Sequence, residues 1–398
     1  MNDSLMEIKF RCRFCKSKLS AEENLYGSKI NCPKCKSMIT IPTPKFEHGE
    51  RIDGYEIEQW LGQGAMGEVY LATQVTMQRS VAIKVHNQRV HDLSEEEKQE
   101  FNNEIRTLAK LSHPNIVTAY EAGIAKNSYY LTMSYVNGDS LEEWIEVNGP
   151  FEEKHALKIC IEVSKALQYA WEKFQLLHRD IKSSNIMIDS HGNVKLMDLG
   201  IAIQLGDDAK ENIMVGTPYF MSPEQARFGS NVDDRSDIYS LGATLYHMLT
   251  GYEPYKGYDS MEIIKLKQEV DPEWPQDLNE DLSDEVSNLI MHMMNYDPDE
   301  RPQSWDEVIQ LLSKTIRPRK AKVANNNYDN QTTINYNAAE KAAHRAQRLK
   351  DRRHKKGFPF LLIFIILVFI AMTIGGVFMA YKIVEARKQK LEFKNKQK

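Results

Sequence analysis

The run His178-Arg179-Asp180-Ile181-Lys182-Ser183-Ser184-Asn185 is followed by Met197-Asp198-Leu199-Gly200, so that Asn185 and Asp198 stand thirteen residues apart. These residue types suit phosphoryl transfer. Moving a γ-phosphoryl group needs a carboxylate to orient the attacking hydroxyl, a cation on the phosphates and oxygen ligands for magnesium. Asp180 can be the carboxylate, Lys182 the cation, and Asn185 and Asp198 the metal ligands.

Such groups work only if other elements present them to a nucleotide, and the upstream chain offers candidates. Gly62-Gln63-Gly64-Ala65-Met66-Gly67-Glu68-Val69 reads as a glycine-rich turn between strands, whose amides could close over phosphates. The same spacing also marks dinucleotide-binding turns and ordinary tight hairpins. Val81-Ala82-Ile83-Lys84 places a lysine at the end of an apolar run. Phe101, Ile105, Leu108 and Leu111 recur at helical spacing, which sets Glu104 one step off their stripe, where it could pair with Lys84.

Taken in order, these segments resemble the protein kinase superfamily over residues 55–312, in the style of the eukaryotic-like serine/threonine kinases of bacteria. Further residues carry the likeness: His113-Pro114-Asn115, Gly216-Thr217-Pro218-Tyr219, Ser222-Pro223-Glu224, Asp237-Ile238-Tyr239 and Arg301-Pro302. The resemblance implies an α+β bilobal fold, with a β-rich N-lobe, an α-rich C-lobe and ATP with Mg2+ or Mn2+ between them. It makes Asp180 the base, puts Lys84 on the α and β phosphates and Lys182 on the γ-phosphate, and assigns the metal to Asn185 and Asp198. Leu61, Gly62, Gly64, Gly67, Val69, Ala82, Met133, Ser134 and Val136 would line the nucleotide site. Lys182 with Thr217 points to serine or threonine acceptors on protein substrates. Glu224 should pair with Arg301, and Asp237 should brace the catalytic loop. Two departures, Leu199 where phenylalanine is usual and Ser222 where alanine is common, remove neither a ligand nor a charge.

Four of the five cysteines fall in the first forty residues, as Cys12-x-x-Cys15 and Cys32-x-x-Cys35. Two such knuckles can close a four-sulfur tetrahedron around a structural Zn2+, a stabiliser that a module of this size needs. Residues 1–45 are similar to the zinc ribbons at the start of some bacterial proteins. Lys16 and Lys36 follow the second cysteines, where glycine often eases the turn. Basic residues surround the knuckles, but aromatic interleaving is thin, so a structural or protein-docking role is favoured over nucleic-acid binding.

At 398 residues with 42% hydrophobic and 27% charged composition, the chain has room for a catalytic domain and accessories. The net charge of -5 averages an acidic middle and basic ends, so it does not identify a partner. Residues 313–357 read as a polar linker and a basic juxtamembrane segment. Residues 358–381 carry no charge over twenty-four positions, about 36 Å as helix, which predicts a single membrane span. A short basic tail, 382–398, follows. Eight basic residues precede the span and seven follow it, so flanking charge barely sets orientation. ATP chemistry and reduced cysteines place the kinase domain in the cytoplasm. Self-association is one route by which a signal could enter. Between Gly200 and Thr217 there is no Ser, Thr or Tyr; in related kinases an arginine placed like Arg179 pairs with a phosphorylated loop residue, and among the loop acids Asp207, Asp208 and Glu211 the expected stand-in is Glu211 or Asp208.

Overall fold

Two short antiparallel hairpins open the structure, β1 (Glu7–Arg11) with β2 (Lys18–Glu22) and β3 (Lys29–Asn31) with β4 (Met38–Thr40). The computed structural model describes residues 7–12, 14–15, 17–64, 67–199, 218–227, 232–257 and 260–316. The linker, basic segment, apolar run and tail expected over 313–398 lie outside the described residues beyond Ile316. Among the described residues no helix is long and apolar enough to cross a membrane.

A six-stranded antiparallel sheet follows, in the order β5-β6-β7-β8-β10-β9. Its strands are β5 (Arg51–Ile52), β6 (Tyr55–Gln63), β7 (Gly67–Gln74), β8 (Arg79–Arg89), β9 (Ala119–Ala125) and β10 (Ser128–Ser134). Strand β8 is buried without a break from Val81 to His86 because both faces are covered. Beneath it runs α1 (Glu95–Leu108), whose start is fixed by a capping box between Ser94 and Glu97. Phe101 of α1 meets the His86 ring edge-on at 5.3 Å.

The opposite face is covered by the N-terminal hairpins. Phe10, Cys12, Cys32, Ile39, Ile41 and Phe46 form one buried cluster with Trp60, Tyr70, Ile83, Val85 and Tyr130 of the sheet. Edge-to-face ring pairs, Tyr26 with Trp60 and Phe46 with Tyr70, fasten the seam. The connecting segment is tied down as well. The Lys45 and Phe46 amides donate to Tyr70 Oη at 2.8 and 3.2 Å, and Lys126 pairs with Glu50 at 2.7 Å. The buried residues between Phe10 and Phe46 therefore share the core of the sheet domain.

The second lobe is mainly helical. It contains β11 (Gly138–Ser140), α2 (Leu141–Asn148), α3 (Glu153–Phe174), β12 (Ile186–Asp189), β13 (Val194–Leu196), α4 (Asp234–Thr250), α5 (Ser260–Glu269), α6 (Pro275–Leu278), α7 (Asp284–Met293) and α8 (Trp305–Ile316). Helix α4 is buried all round from Ser236 to Thr250, as a central helix must be when α3, α6 and α7 surround it. A strap from the first lobe reaches across: Val117 N donates to Leu196 O at 3.0 Å, and Leu196 N to Asn115 O at 2.8 Å. The β-rich N-lobe and α-rich C-lobe are thus both present.

Candidate active site

Strand register builds the roof of the cleft. Lys84 lies between Val69 on β7 and Leu131 on β10, and Ala82 lies between Leu71 and Met133, so Val69, Ala82, Lys84 and Met133 share one face. Gly67 packs so close to β8 that a Cβ would sit 2.1 Å from Val85 O, which leaves room only for glycine. Gly64 N donates to Gly67 O at 2.8 Å, closing the glycine-rich turn; Ala65 and Met66 lie outside the described residues. Leu61 and Gly62 are half-buried at the end of β6 beside that turn. Met133 borders a small apolar cavity of about 20 Å³ that also touches Leu108, Leu196 and Asp198. Ser134 leaves β10 with its amide on Thr118 O at 2.9 Å, and Val136 is half-buried just beyond.

The catalytic loop forms the floor, held by Asp237, which accepts from His178 N at 2.7 Å and Arg179 N at 2.9 Å. This brace matches the role expected for Asp237, and it holds Arg179, whose φ is +64°. His178 Nε2 meets Met197 O at 2.8 Å and joins this loop to the residue before Asp198. Asp180 then receives Lys182 Nζ at 2.7 Å on Oδ2 and 2.9 Å on Oδ1. Asn185 donates through Nδ2 to Asp180 O at 2.8 Å and to its Oδ2 at 3.0 Å. Both bonds use the amide nitrogen, so Asn185 Oδ1 is the atom left to accept a cation.

Lys84 joins roof to floor. Its ammonium lies 2.8 Å from Asp198 Oδ1, with the lysine side chain 6% exposed. Burial would raise the Asp198 carboxyl, but the Lys84 charge and hydrogen bond hold it below the usual carboxylate range. Glu104, the partner suggested by helical spacing, sits half-buried on α1. Thr217, and with it Asp207, Asp208 and Glu211, lies outside the described residues.

Behind the loop, Arg301 grips Glu224 through two bonds of 2.6 and 2.8 Å, as the resemblance implies, and Ser236 Oγ adds a third at 2.5 Å. Sequence reasoning missed two polar residues that hold the same segment. Gln225 donates to Arg179 O at 3.0 Å, and Lys267 donates to Tyr219 O and Met221 O. A signal for Lys267 existed, since it continues the apolar stripe of Ile263 and Ile264.

At the other end, Cys12, Cys15, Cys32 and Cys35 gather with ligand atoms within 4.8 Å of one another. Cys12 Sγ lies 3.7 Å from Cys35 Sγ, and Cys15 Sγ lies 3.7 Å from Cys32 Sγ. Bonds of about 2.3 Å from a tetrahedral zinc give sulfur–sulfur edges of about 3.8 Å, so the residues fit that ion. Lys36 takes φ +62°, the conformation for which glycine was expected.

Comparisons with known proteins agree with this geometry. The family described as the protein kinase domain matches residues 55–312. Serine/threonine-protein kinase PrkC of Bacillus subtilis is 36% identical over 265 residues, covering 65% of this chain and 40% of that protein. Serine/threonine-protein kinase PknB of Mycobacterium leprae is 35% identical over 265 residues, covering 64% of this chain and 42% of that protein. The chain therefore spans about two fifths of the length of these curated relatives. Among solved structures, the PknI kinase domain of Mycobacterium tuberculosis superposes with TM-score 0.55 at 25% identity, covering 68% of this chain and 99% of that one. With its two lobes, its braced catalytic loop and this match to more than half its length, the chain belongs to the protein kinase family.

Proposed function

We propose that the chain is a membrane-anchored serine/threonine protein kinase that transfers the ATP γ-phosphate to hydroxyls of protein substrates in bacterial signalling. The observation that carries this reading is the joined set Lys84–Asp198 and Asp180–Lys182–Asn185, which leaves no required charge missing. Lys84 and Lys182 hold phosphate oxygens, and the glycine-rich turn covers them. Asp180 orients the acceptor hydroxyl and takes its proton, while Lys182, already on that carboxylate, is placed to follow the moving charge. Asn185 Oδ1 and Asp198 would hold Mg2+ or Mn2+, which supplies charge neutralisation on the phosphates. The identity of the curated relatives supports serine and threonine as acceptors.

Asp180→Asn keeps the shape of the loop and removes the base. Phosphotransfer from labelled ATP should fall by about 10²–10⁴-fold. Full activity in that variant would remove Asp180 from the reaction, and an inactive parent would favour an ATP-binding scaffold. The four cysteines support a structural Zn2+. Elemental analysis should find one zinc per chain in the parent and none in Cys32→Ser. The anchor rests on the apolar run 358–381 alone.

A further inference from the structure

Helix α5 turns Ile263 and Ile264 into the C-lobe, and the next position on that stripe is Lys267, only 3% exposed. An ammonium in such a place loses its hydration and needs replacement partners. Lys267 Nζ donates to the carbonyls of Tyr219 at 2.9 Å and Met221 at 2.5 Å, and stands over the rings of Tyr239 and Tyr255 at 5.1 and 5.3 Å. Among the described residues no carboxylate lies within ion-pair distance of it. Burial pushes the group down to about 7. Hydrophobic packing alone would be served better by leucine or methionine at this position. The two carbonyl bonds therefore set the lysine apart.

Those carbonyls belong to the segment before α4, which a side chain ties to the catalytic loop. Ser222 N and Oγ both donate to Gln225 Oε1 at 3.1 Å, and Gln225 Nε2 donates to Arg179 O at 3.0 Å, one residue before Asp180. Glu224 in the same segment is locked by Arg301. A continuous line thus runs from α5 through residues 219–225 to the base. Because Gln225 holds this segment against Arg179, next to Asp180, a chain that brings a hydroxyl to Asp180 would pass beside it. We infer that Lys267 is a positioning residue for protein substrates: it ties α5 to the backbone of 219–221 and fixes the platform on which the acceptor chain lies. It touches neither nucleotide nor acceptor, and the inference rests on the kinase reading of Asp180.

The test uses the full chain as parent, K267M and K267R, with Mg-ATP and a threonine-containing probe peptide chosen from a degenerate library. In K267M the KM for peptide should rise about tenfold while the KM for ATP stays within about twofold, because the lost contact bears on the acceptor only. K267R, which keeps the charge and the donors, should restore most of the difference. Amide hydrogen exchange over 219–222 should quicken in K267M while β8 is unchanged. Unchanged peptide KM, or equal rises in both KM values, overturns the inference. If K267M does not fold, K267Q takes its place, with two N–H donors instead of three on a shorter, uncharged arm; unchanged exchange over 219–222 in K267Q overturns the brace. A parent that transfers nothing to peptide sinks the kinase reading, and the exchange comparison still decides the brace.

Discussion

His86 sits under the sheet two residues beyond Lys84, with its ring against Phe101 and Nε2 lacking a partner among the described residues. Burial first, then the Lys84 charge, lowers its pKa from 6.5 to about 4. The unfolded chain therefore takes up a proton near pH 6.5 that the folded chain refuses, and stability declines from pH 6.5 to about pH 4. The loss contributed by this group should approach about 3 kcal/mol. Thermal melts of the parent and His86→Phe across that range check it: the variant's slope should be flatter. Glu224 acts lower on the scale. Burial would raise its carboxyl, but Arg301 holds it below 4.5, so its contribution is complete above pH 4.5 and is lost as pH falls through the depressed value. Glu224→Ala strands a buried guanidinium and should cost about 3–5 kcal/mol in denaturant titration. A cost near zero would mean that Arg301 finds other acceptors.

At the scale of elements, the sharpest feature is the shared core of the hairpins and the sheet. Ile41 is fully buried there, and Ile41→Ala should lower stability by about 2–5 kcal/mol although the residue precedes the kinase domain. A fragment of residues 50–316 should melt well below one of residues 7–316, because Tyr70, Val85 and Tyr130 lose their cover. Equal melting temperatures would show the hairpins to be a passive appendage. If the cysteines hold zinc, chelation should lower the same transition. The sequence makes the catalytic loop legible because each of its residues has a chemical duty at fixed spacing. The hairpin seam is not legible in that way. Tyr26, Phe46 and Trp60 lie far apart in sequence, and nothing in a local pattern tells an aromatic that packs inside its own module from one that packs across a seam. Lys84 gave a different difficulty. Periodicity places Glu104 on α1, but the contact of Lys84 with Asp198 joins segments far apart in the chain, which spacing does not encode.

On the scale of the whole molecule, truncation after residue 340 should release the protein from membranes, as fractionation in high salt would check. A truncated chain that still sediments with membranes would place an anchor elsewhere. Protease added outside sealed cells should leave residues 55–312 intact; their digestion would reverse the orientation expected from the sequence. The buried seam also bears on the order of synthesis. Phe10, Cys12, Cys32, Ile39 and Ile41 leave the ribosome before any of the strands that cover them, and Tyr130 comes last. At about 5–20 residues per second, roughly 4–18 s separate the making of Ile41 from that of Tyr130. During that interval the hairpins present a bare apolar face, and their strand pairing and the gathering of four cysteines within residues 12–35 need no later residue. If the cysteines hold zinc, its scarcity should therefore weigh most on nascent chains, as aggregation before release, and less on finished molecules.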